Sequence, residues 1–134
     1  MSKVKVVTIG LGYIGLPTSA LIAQNGIQVH GVDVNQNVVD TINKGKIHIV
    51  EPSLDIAVEE AVKKGFLKAD IIPVEAETYL IVVPTPFKGS HEPDISYVES
   101  ATKNVIPFLK EDDLYIIEST SPIGTTEKMM NLIY

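Results

Sequence analysis

The stretch Gly10-Leu11-Gly12-Tyr13-Ile14-Gly15 decides the fold of this chain. It follows a β-branched run, 4–9, and it opens a segment, 13–24, whose apolar residues recur at helical spacing. The pattern G-x-G-x-x-G between a strand and a helix is typical of a dinucleotide-binding turn. The first glycine would allow the tight turn, the second would let a pyrophosphate approach the backbone, and the third would let the helix pack closely on the strand. We therefore expect the N-terminus of this helix to face phosphates.

A carboxylate follows at the spacing that such a turn requires. Asp33 lies 18 residues after Gly15, at the end of a second strand pattern over 28–32. In this position a carboxylate can accept hydrogen bonds from both hydroxyls of a ribose. No Lys or Arg lies between Asp33 and Lys44 to neutralise a 2′-phosphate, so the sequence predicts NAD rather than NADP. The alternative is that Asp33 only caps the next helix, but Asn35 is better placed for that cap.

Strand and helix patterns alternate along the whole chain. The predicted strands cover 4–9, 28–32, 67–72, 78–83 and 114–117, and the predicted helices cover 13–24, 36–43, 53–64, 96–109 and 125 onward. Ser53 is a candidate cap for the third helix, and Ser96 with Glu99 forms a capping box for the fourth. Each connection is long enough for a right-handed crossover. The sequence therefore predicts a doubly wound α/β fold with a parallel sheet, a Rossmann-like domain.

Composition limits the possible partners. The 134 residues, 45% of them hydrophobic, suffice for one compact domain. The net charge of −6 provides no basic surface for nucleic acid or an anionic membrane, and no apolar run approaches the roughly 20 residues that span a bilayer. We expect a cytoplasmic protein. It has no cysteine, and its histidines, His30, His48 and His91, are too scattered to suggest a metal site.

Two later loops should lie on the same edge of the sheet as the glycine turn. The segments Pro84-Thr85-Pro86 and Glu118-Ser119-Thr120-Ser121 follow predicted strands, and ligands bind outside the carboxyl ends of parallel strands. Thr85 could line the cofactor or could belong to a stiff surface turn. Thr125 and Thr126 have a similar ambiguity, since either could cap the last helix.

Taken together, these motifs resemble the UDP-glucose/GDP-mannose dehydrogenase family. The resemblance is carried, in order, by Gly10-Leu11-Gly12-Tyr13-Ile14-Gly15-Leu16-Pro17, Gly31-Val32-Asp33-Val34-Asn35, Val83-Pro84-Thr85-Pro86-Phe87-Lys88-Gly89 and Glu118-Ser119-Thr120-Ser121-Pro122-Ile123-Gly124. It covers the whole chain. Within the family, Ile47-His48-Ile49-Val50-Glu51-Pro52 and the Pro-Phe-Lys-Gly loop are most similar to members that act on UDP-N-acetyl-D-mannosamine.

The resemblance implies oxidation of a sugar C6 hydroxyl to a carboxylate with two NAD, through a thiohemiacetal on a cysteine. It also implies that Tyr13, Ile14, Asp33, Thr85 and Thr126 contact NAD, beside the glycines of the turn. Thr120 resembles a family threonine that helps to orient a water near the reacting carbon, and it is the one catalytic candidate here. The product of such an enzyme would enter surface polysaccharide synthesis.

The resemblance further implies that residues 1–134 are the N-terminal NAD-binding domain of a larger enzyme. The catalytic cysteine and lysine, the central helix and the C-terminal domain would lie outside this chain, which is therefore expected to be inactive alone. The full-length enzyme is expected to be a homo-oligomer. A stand-alone NAD-binding regulatory module and a dehydrogenase of another UDP-sugar stay open as alternatives. A short-chain or hydroxyacid dehydrogenase would require a Tyr-x-x-x-Lys pair or a histidine acid/base site, and neither pattern is present.

Overall fold

The computed structural model describes residues 4–88, 92–119 and 123–134, which form a single α/β unit. The strands are β1 (Val6–Ile9), β2 (Val29–Val32), β3 (Leu67–Asp70), β4 (Thr78–Ile81), β5 (Phe87–Lys88), β6 (Glu92–Pro93) and β7 (Leu114–Ile117). The helices are α1 (Gly15–Gln24), α2 (Gln36–Asn43), α3 (Leu54–Lys63), α4 (Ser96–Val105) and α5 (Thr125–Ile133). Within the described ranges, no helix is long and apolar enough to cross a bilayer.

Five of these strands form one parallel sheet in the order β3-β2-β1-β4-β7. β1 pairs with β2 on one side and with β4 on the other, so the chain changes direction across the sheet at β1. This confirms the predicted doubly wound fold. In open sheets of this kind, a crevice forms beyond the carboxyl ends of the strands where the order reverses. Here that crevice lies between β1 and β4.

The sheet is buried on both faces. One face packs against α1, α2 and α3, with Leu16, Ile42 and Val58 at the centre of the cluster. The other face packs against α4 and α5, with Tyr79 and Met129 in the contact. Burial on both faces explains why the central strands β1 and β4 read as nearly continuous apolar runs, whereas the edge strand β3 alternates, with Lys68 exposed.

Tyr79 fixes the segment that leads into β4. Its phenol oxygen accepts a hydrogen bond from the N–H of Ala76 and lies 3.2 Å from the carbonyl oxygens of Val74 and Phe108. Burial raises the pKa of this phenol above its usual value of 10.0. Tyr79 therefore stays neutral, and able to donate, throughout the physiological pH range.

The helix starts agree with the predicted ones in position but not always in the cap. Asn35 caps α2 as predicted, accepting a hydrogen bond from the N–H of Asn37 at 2.9 Å. Ser53 makes no side-chain cap, and its backbone is left-handed, with φ of +66°. Ser96 makes no side-chain cap either, because it lies inside α4 and its N–H donates a hydrogen bond to the Asp94 carboxylate at 2.9 Å. The two serine caps were thus wrong, since the preceding turns fix their backbones differently.

Two other boundaries also differ from expectation. The fourth helix ends at Val105 and continues as a 3-10 turn over Ile106–Phe108, because Pro107 has no N–H for α-helical bonding. The segment after β4, predicted as a loop to Pro93, contains the two-residue strands β5 and β6, which pair antiparallel. Strands this short give no periodic signal in a sequence.

Candidate functional site

Each glycine of the turn between β1 and α1 meets a different steric requirement. Gly10 has φ of +106°, and a Cβ there would lie 2.4 Å from the carbonyl oxygen of Val82. A Cβ on Gly15 would lie 1.8 Å from the carbonyl oxygen of Gly10. A Cβ on Gly12, by contrast, would meet no atom within 4 Å. Gly10 and Gly15 are therefore required by the fold itself, whereas Gly12 borders open space, as expected beside a bound diphosphate.

The N-terminus of α1 opens onto the same space. Its N-cap residue, Ile14, makes no side-chain cap, and the first turn holds no acidic residue. Tyr13 and Ile14 are 67% and 61% exposed, although both are large and apolar. A helix start with uncapped N–H groups and a positive dipole end favours an anion, and exposed apolar side chains beside it favour a ligand that covers them.

Asp33 lies against the glycine turn. Its Oδ2 accepts a hydrogen bond from the N–H of Leu11 at 3.1 Å, and its Oδ1 accepts one from the N–H of Asn35 at 3.0 Å. Each carboxylate oxygen has a further lone pair, so Asp33 can still accept hydrogen bonds from a ligand. The carboxylate thus combines a local turn with a place at the edge of the crevice, and Asn35 rather than Asp33 caps α2.

A cleft of about 220 Å³ adjoins Asp33 at the carboxyl end of the sheet. It is smaller than the pockets of roughly 300–1,000 Å³ that enclose whole drug-sized ligands, so it fits one end of a dinucleotide. The sequence predicted Gly10, Asp33 and the Pro84 loop in this place but did not single out the other residues. These are Ile9, Val32, Val34, Ile71, Val83, Tyr97, Ser100, Ala101 and Asn104.

One face of α4 accounts for four of the missed residues. Tyr97, Ser100, Ala101 and Asn104 recur at positions i, i+3, i+4 and i+7, the spacing of a single helix face. Opposite them stands Val34, which is 92% exposed. The helical spacing was visible in the sequence, but the crossover from β4 to its neighbour β7, which contains α4, is what turns this face toward the crevice.

Comparison with known proteins agrees with this geometry. The sequence profile described as "UDP-glucose/GDP-mannose dehydrogenase family, NAD binding domain" matches residues 4–134. The chain belongs to this family. The family's description names NAD, which confirms the cofactor predicted from the glycine turn and Asp33.

Relatives within the UDP-glucose/GDP-mannose dehydrogenase family are close in sequence and structure. The chain is 60% identical over 129 residues to UDP-N-acetyl-D-mannosamine dehydrogenase of Escherichia coli (strain K12), covering 96% of this chain and 31% of the relative. It is 53% identical over 121 residues to NDP-N-acetyl-D-galactosaminuronic acid dehydrogenase of Ralstonia nicotianae, covering 90% and 29%. The structure of UDP-N-acetyl-mannosamine dehydrogenase from Staphylococcus aureus matches with a TM-score of 0.93 at 39% identity, covering 96% and 31%. The chain thus spans less than a third of these relatives' length.

Two of the three predicted threonines, Thr85 and Thr126, lie in different surroundings. Thr85 is half-buried in the loop that leaves β4, next to the cleft residues Val83 and Pro84. Thr126, on the exposed side of α5, lines a separate hollow of about 800 Å³ together with Tyr115 and Met130. Thr120 lies outside the described residues. The cofactor contacts of Thr85 and Thr126 and the catalytic role of Thr120 stay predictions.

No metal centre emerges in the described part of the chain. No group of three or more His, Cys, Asp or Glu side chains there could hold an ion. His30, one of the scattered histidines, is buried, and its Nε2 lies 3.0 Å from the carbonyl oxygen of Ile72. That contact gives His30 a structural role under the loop that contributes Ile71 to the cleft.

Proposed function

We propose that this chain is the NAD-binding domain of an enzyme that oxidises the C6 hydroxyl of UDP-N-acetyl-D-mannosamine to a carboxylate. The observation that carries the proposal is the Asp33 carboxylate held 3.1 Å from the N–H of Leu11, beside a glycine turn with open space at Gly12. The substrate is taken from the relative with 60% identity, whose name specifies UDP-N-acetyl-D-mannosamine.

The residues of the site fit NAD. The backbone at Gly12 and the start of α1 would hold the diphosphate, since the space there is open and the helix dipole is positive. Asp33 would accept hydrogen bonds from the hydroxyls of the adenosine ribose, and its negative charge would repel the 2′-phosphate of NADP. When bound, NAD accepts a hydride from the carbon that is oxidised.

The remaining predicted residues would contact the diphosphate and the nicotinamide half of the ligand. Tyr13 and Ile14 would cover the diphosphate side of the ligand, and Thr85 and Thr126 would contact the nicotinamide half. Thr120 would help to orient a water near the reacting carbon. These assignments rest on the family resemblance and on the position of the loops at the carboxyl ends of β4 and β7.

The chemistry at the sugar would require groups outside these 134 residues. Oxidation to a carboxylate in two hydride transfers would pass through an aldehyde, which a thiol would capture as a thiohemiacetal. The second hydride transfer would convert the thiohemiacetal to a thioester, and water would then hydrolyse the thioester to the carboxylate and the free thiol. The chain contains no cysteine to supply that thiol. We therefore propose that the central and C-terminal domains of a longer enzyme, a homo-oligomer in the cytoplasm that serves polysaccharide synthesis, supply the nucleophile and most sugar contacts.

One assay tests the activity and the substrate together. The full-length protein that carries this domain is mixed with NAD and each of several UDP-sugars, and NADH is followed by its absorbance. We expect two NADH for each UDP-N-acetyl-D-mannosamine consumed and little turnover of UDP-glucose. Turnover of a UDP-N-acetylgalactosamine derivative instead would favour the second relative's activity. NAD binding without oxidation of any sugar would favour a regulatory module.

A further inference from the structure

Ser119 links the exits of two neighbouring strands, β4 and β7. Its hydroxyl donates a hydrogen bond to the carbonyl oxygen of Val83 at 2.8 Å, and the carbonyl oxygen of Ile81 lies 3.3 Å away. Its backbone N–H also donates to Ile81, at 3.2 Å. The side chain is partly buried, so these bonds are only partly exposed to competition from water. Ser119 therefore fixes where the chain leaves β4.

The same segment is held from the opposite side by the glycine turn. The N–H of Val82 donates to the carbonyl oxygen of Ile9 at 2.8 Å. The backbone of Val82 also packs so closely on Gly10 that any side chain at Gly10 would overlap with it. The exit of β4 is thus held between β1 and Ser119, with contacts to backbone atoms on both sides.

The chain beyond this point is unusually stiff. Val83 is followed by Pro84-Thr85-Pro86, so two prolines have a fixed φ, and both Val83 and Thr85 are restricted because each precedes a proline. A hydrogen bond that fixes the carbonyl group of Val83 therefore also fixes the position of Thr85, two residues later. A flexible linker in this place would not transmit the constraint.

We propose that Ser119 is a positioning residue for the nicotinamide half of the cofactor and that it acts through Thr85. The inference rests on the proposed NAD site. A dinucleotide whose adenosine ribose lies at Asp33, after β2, extends across β1 toward β4 and β7. Ser119 bonds the carbonyl oxygens of Ile81 and Val83, at the β4 end of that path. Loss of its hydroxyl should therefore weaken contacts to nicotinamide more than contacts to adenosine and diphosphate.

Calorimetric titrations of the full-length protein with NAD and with ADP-ribose, which lacks only the nicotinamide ring, test this proposal. We expect Ser119→Ala to weaken NAD binding about five-fold, the usual effect of one lost hydrogen bond, and to weaken ADP-ribose binding less. Ser119→Thr should restore NAD affinity. In a Thr85→Ala background, Ser119→Ala should have little further effect, because the two residues act as one unit.

Thr102→Val is the matched control, because the Thr102 hydroxyl also donates to a backbone carbonyl, that of Val98 at 2.7 Å in α4, and its other hydrogen-bond partner is the Tyr115 hydroxyl. It should lower stability without changing the ratio of the two affinities. If Ser119→Ala does not fold, Ser119→Cys, of similar size but a weaker donor, replaces it. Equal losses for both ligands, or no loss for either, would overturn the role of Ser119. Absence of NAD binding by the unaltered protein would instead overturn the proposed function.

Discussion

Asp33 and Leu11, 22 positions apart in the chain, are joined by a hydrogen bond from the N–H of Leu11 to Oδ2 of Asp33 at 3.1 Å. This bond fastens the end of β2 to the glycine turn after β1. The second oxygen of the same carboxylate accepts a hydrogen bond from the N–H of Asn35 at 3.0 Å. The group expected to recognise the ribose is therefore also part of the scaffold that shapes the diphosphate site. A substitution at Asp33 should consequently affect both.

Asp33→Asn removes the negative charge of the side chain and keeps its shape. An amide has one accepting oxygen, so its NH₂ group must face either Leu11 or Asn35, and one of the two N–H groups loses its acceptor. We expect a loss of about 1–3 kcal/mol in the free energy of unfolding. We also expect weaker NAD binding and a smaller preference for NAD over NADP, because the repulsive charge is gone. Calorimetry with both cofactors and urea unfolding measure these effects.

Asp40→Asn serves as the control for Asp33→Asn. Asp40 is exposed on α2, where its carboxylate accepts a hydrogen bond from the side chain of Gln36. The same change in net charge there should leave stability within about 0.5 kcal/mol and leave cofactor preference unchanged. Tighter binding of NADP than NAD by the unaltered protein would contradict the assignment of Asp33 to the ribose.

Two glycines of the turn should respond oppositely to substitution. Gly12→Val places a side chain where no atom lies within 4 Å of the Cβ, so the fold should persist while NAD binding is abolished. Gly15→Ala places a Cβ 1.8 Å from the backbone oxygen of Gly10 and should cost about 3 kcal/mol of stability. Urea unfolding and NAD titration of both variants test the pair. A folded Gly12→Val that binds NAD normally would refute the position of the diphosphate.

Thr8 contains a polar group whose burial is uncompensated. It is fully buried in β1, and its hydroxyl has no hydrogen-bond partner among the described residues. Thr8→Val keeps the shape and removes the desolvated hydroxyl, so we expect the free energy of unfolding to rise by about 1 kcal/mol. Thr102→Val, which loses hydrogen bonds to the Val98 carbonyl and the Tyr115 hydroxyl, should lower it by about 1–3 kcal/mol. A decrease for Thr8→Val would show that its hydroxyl has a partner in solution.

The sequence could predict the features that depend on neighbouring residues. The glycine turn, the position of Asp33 and the boundaries of α2 follow from local patterns, and the structure agrees with each. Contacts formed by the crossovers could not be predicted in this way. The cleft face of α4 and the bond from Ser119 to Val83 join residues distant in the chain, and no local pattern specifies such a pairing. Ser53 and Ser96 show the converse error, since good capping residues do not cap when the preceding turn directs their backbone elsewhere.

Residues 1–134, expressed alone, are expected to bind NAD weakly and to oxidise no UDP-sugar. The adenosine and diphosphate contacts at Asp33 and Gly12 lie within this chain, whereas the proposed reaction needs a thiol and the chain has no cysteine. The nicotinamide end keeps only Thr85, Thr120 and Thr126 as predicted contacts, so it should be poorly ordered. Titration should give a Kd near the millimolar range, roughly 4 kcal/mol of binding free energy. NADH formation from UDP-N-acetyl-D-mannosamine by this chain alone would refute the proposal that the catalytic groups lie outside residues 1–134. Absence of binding at millimolar NAD would refute the presence of a cofactor site within them.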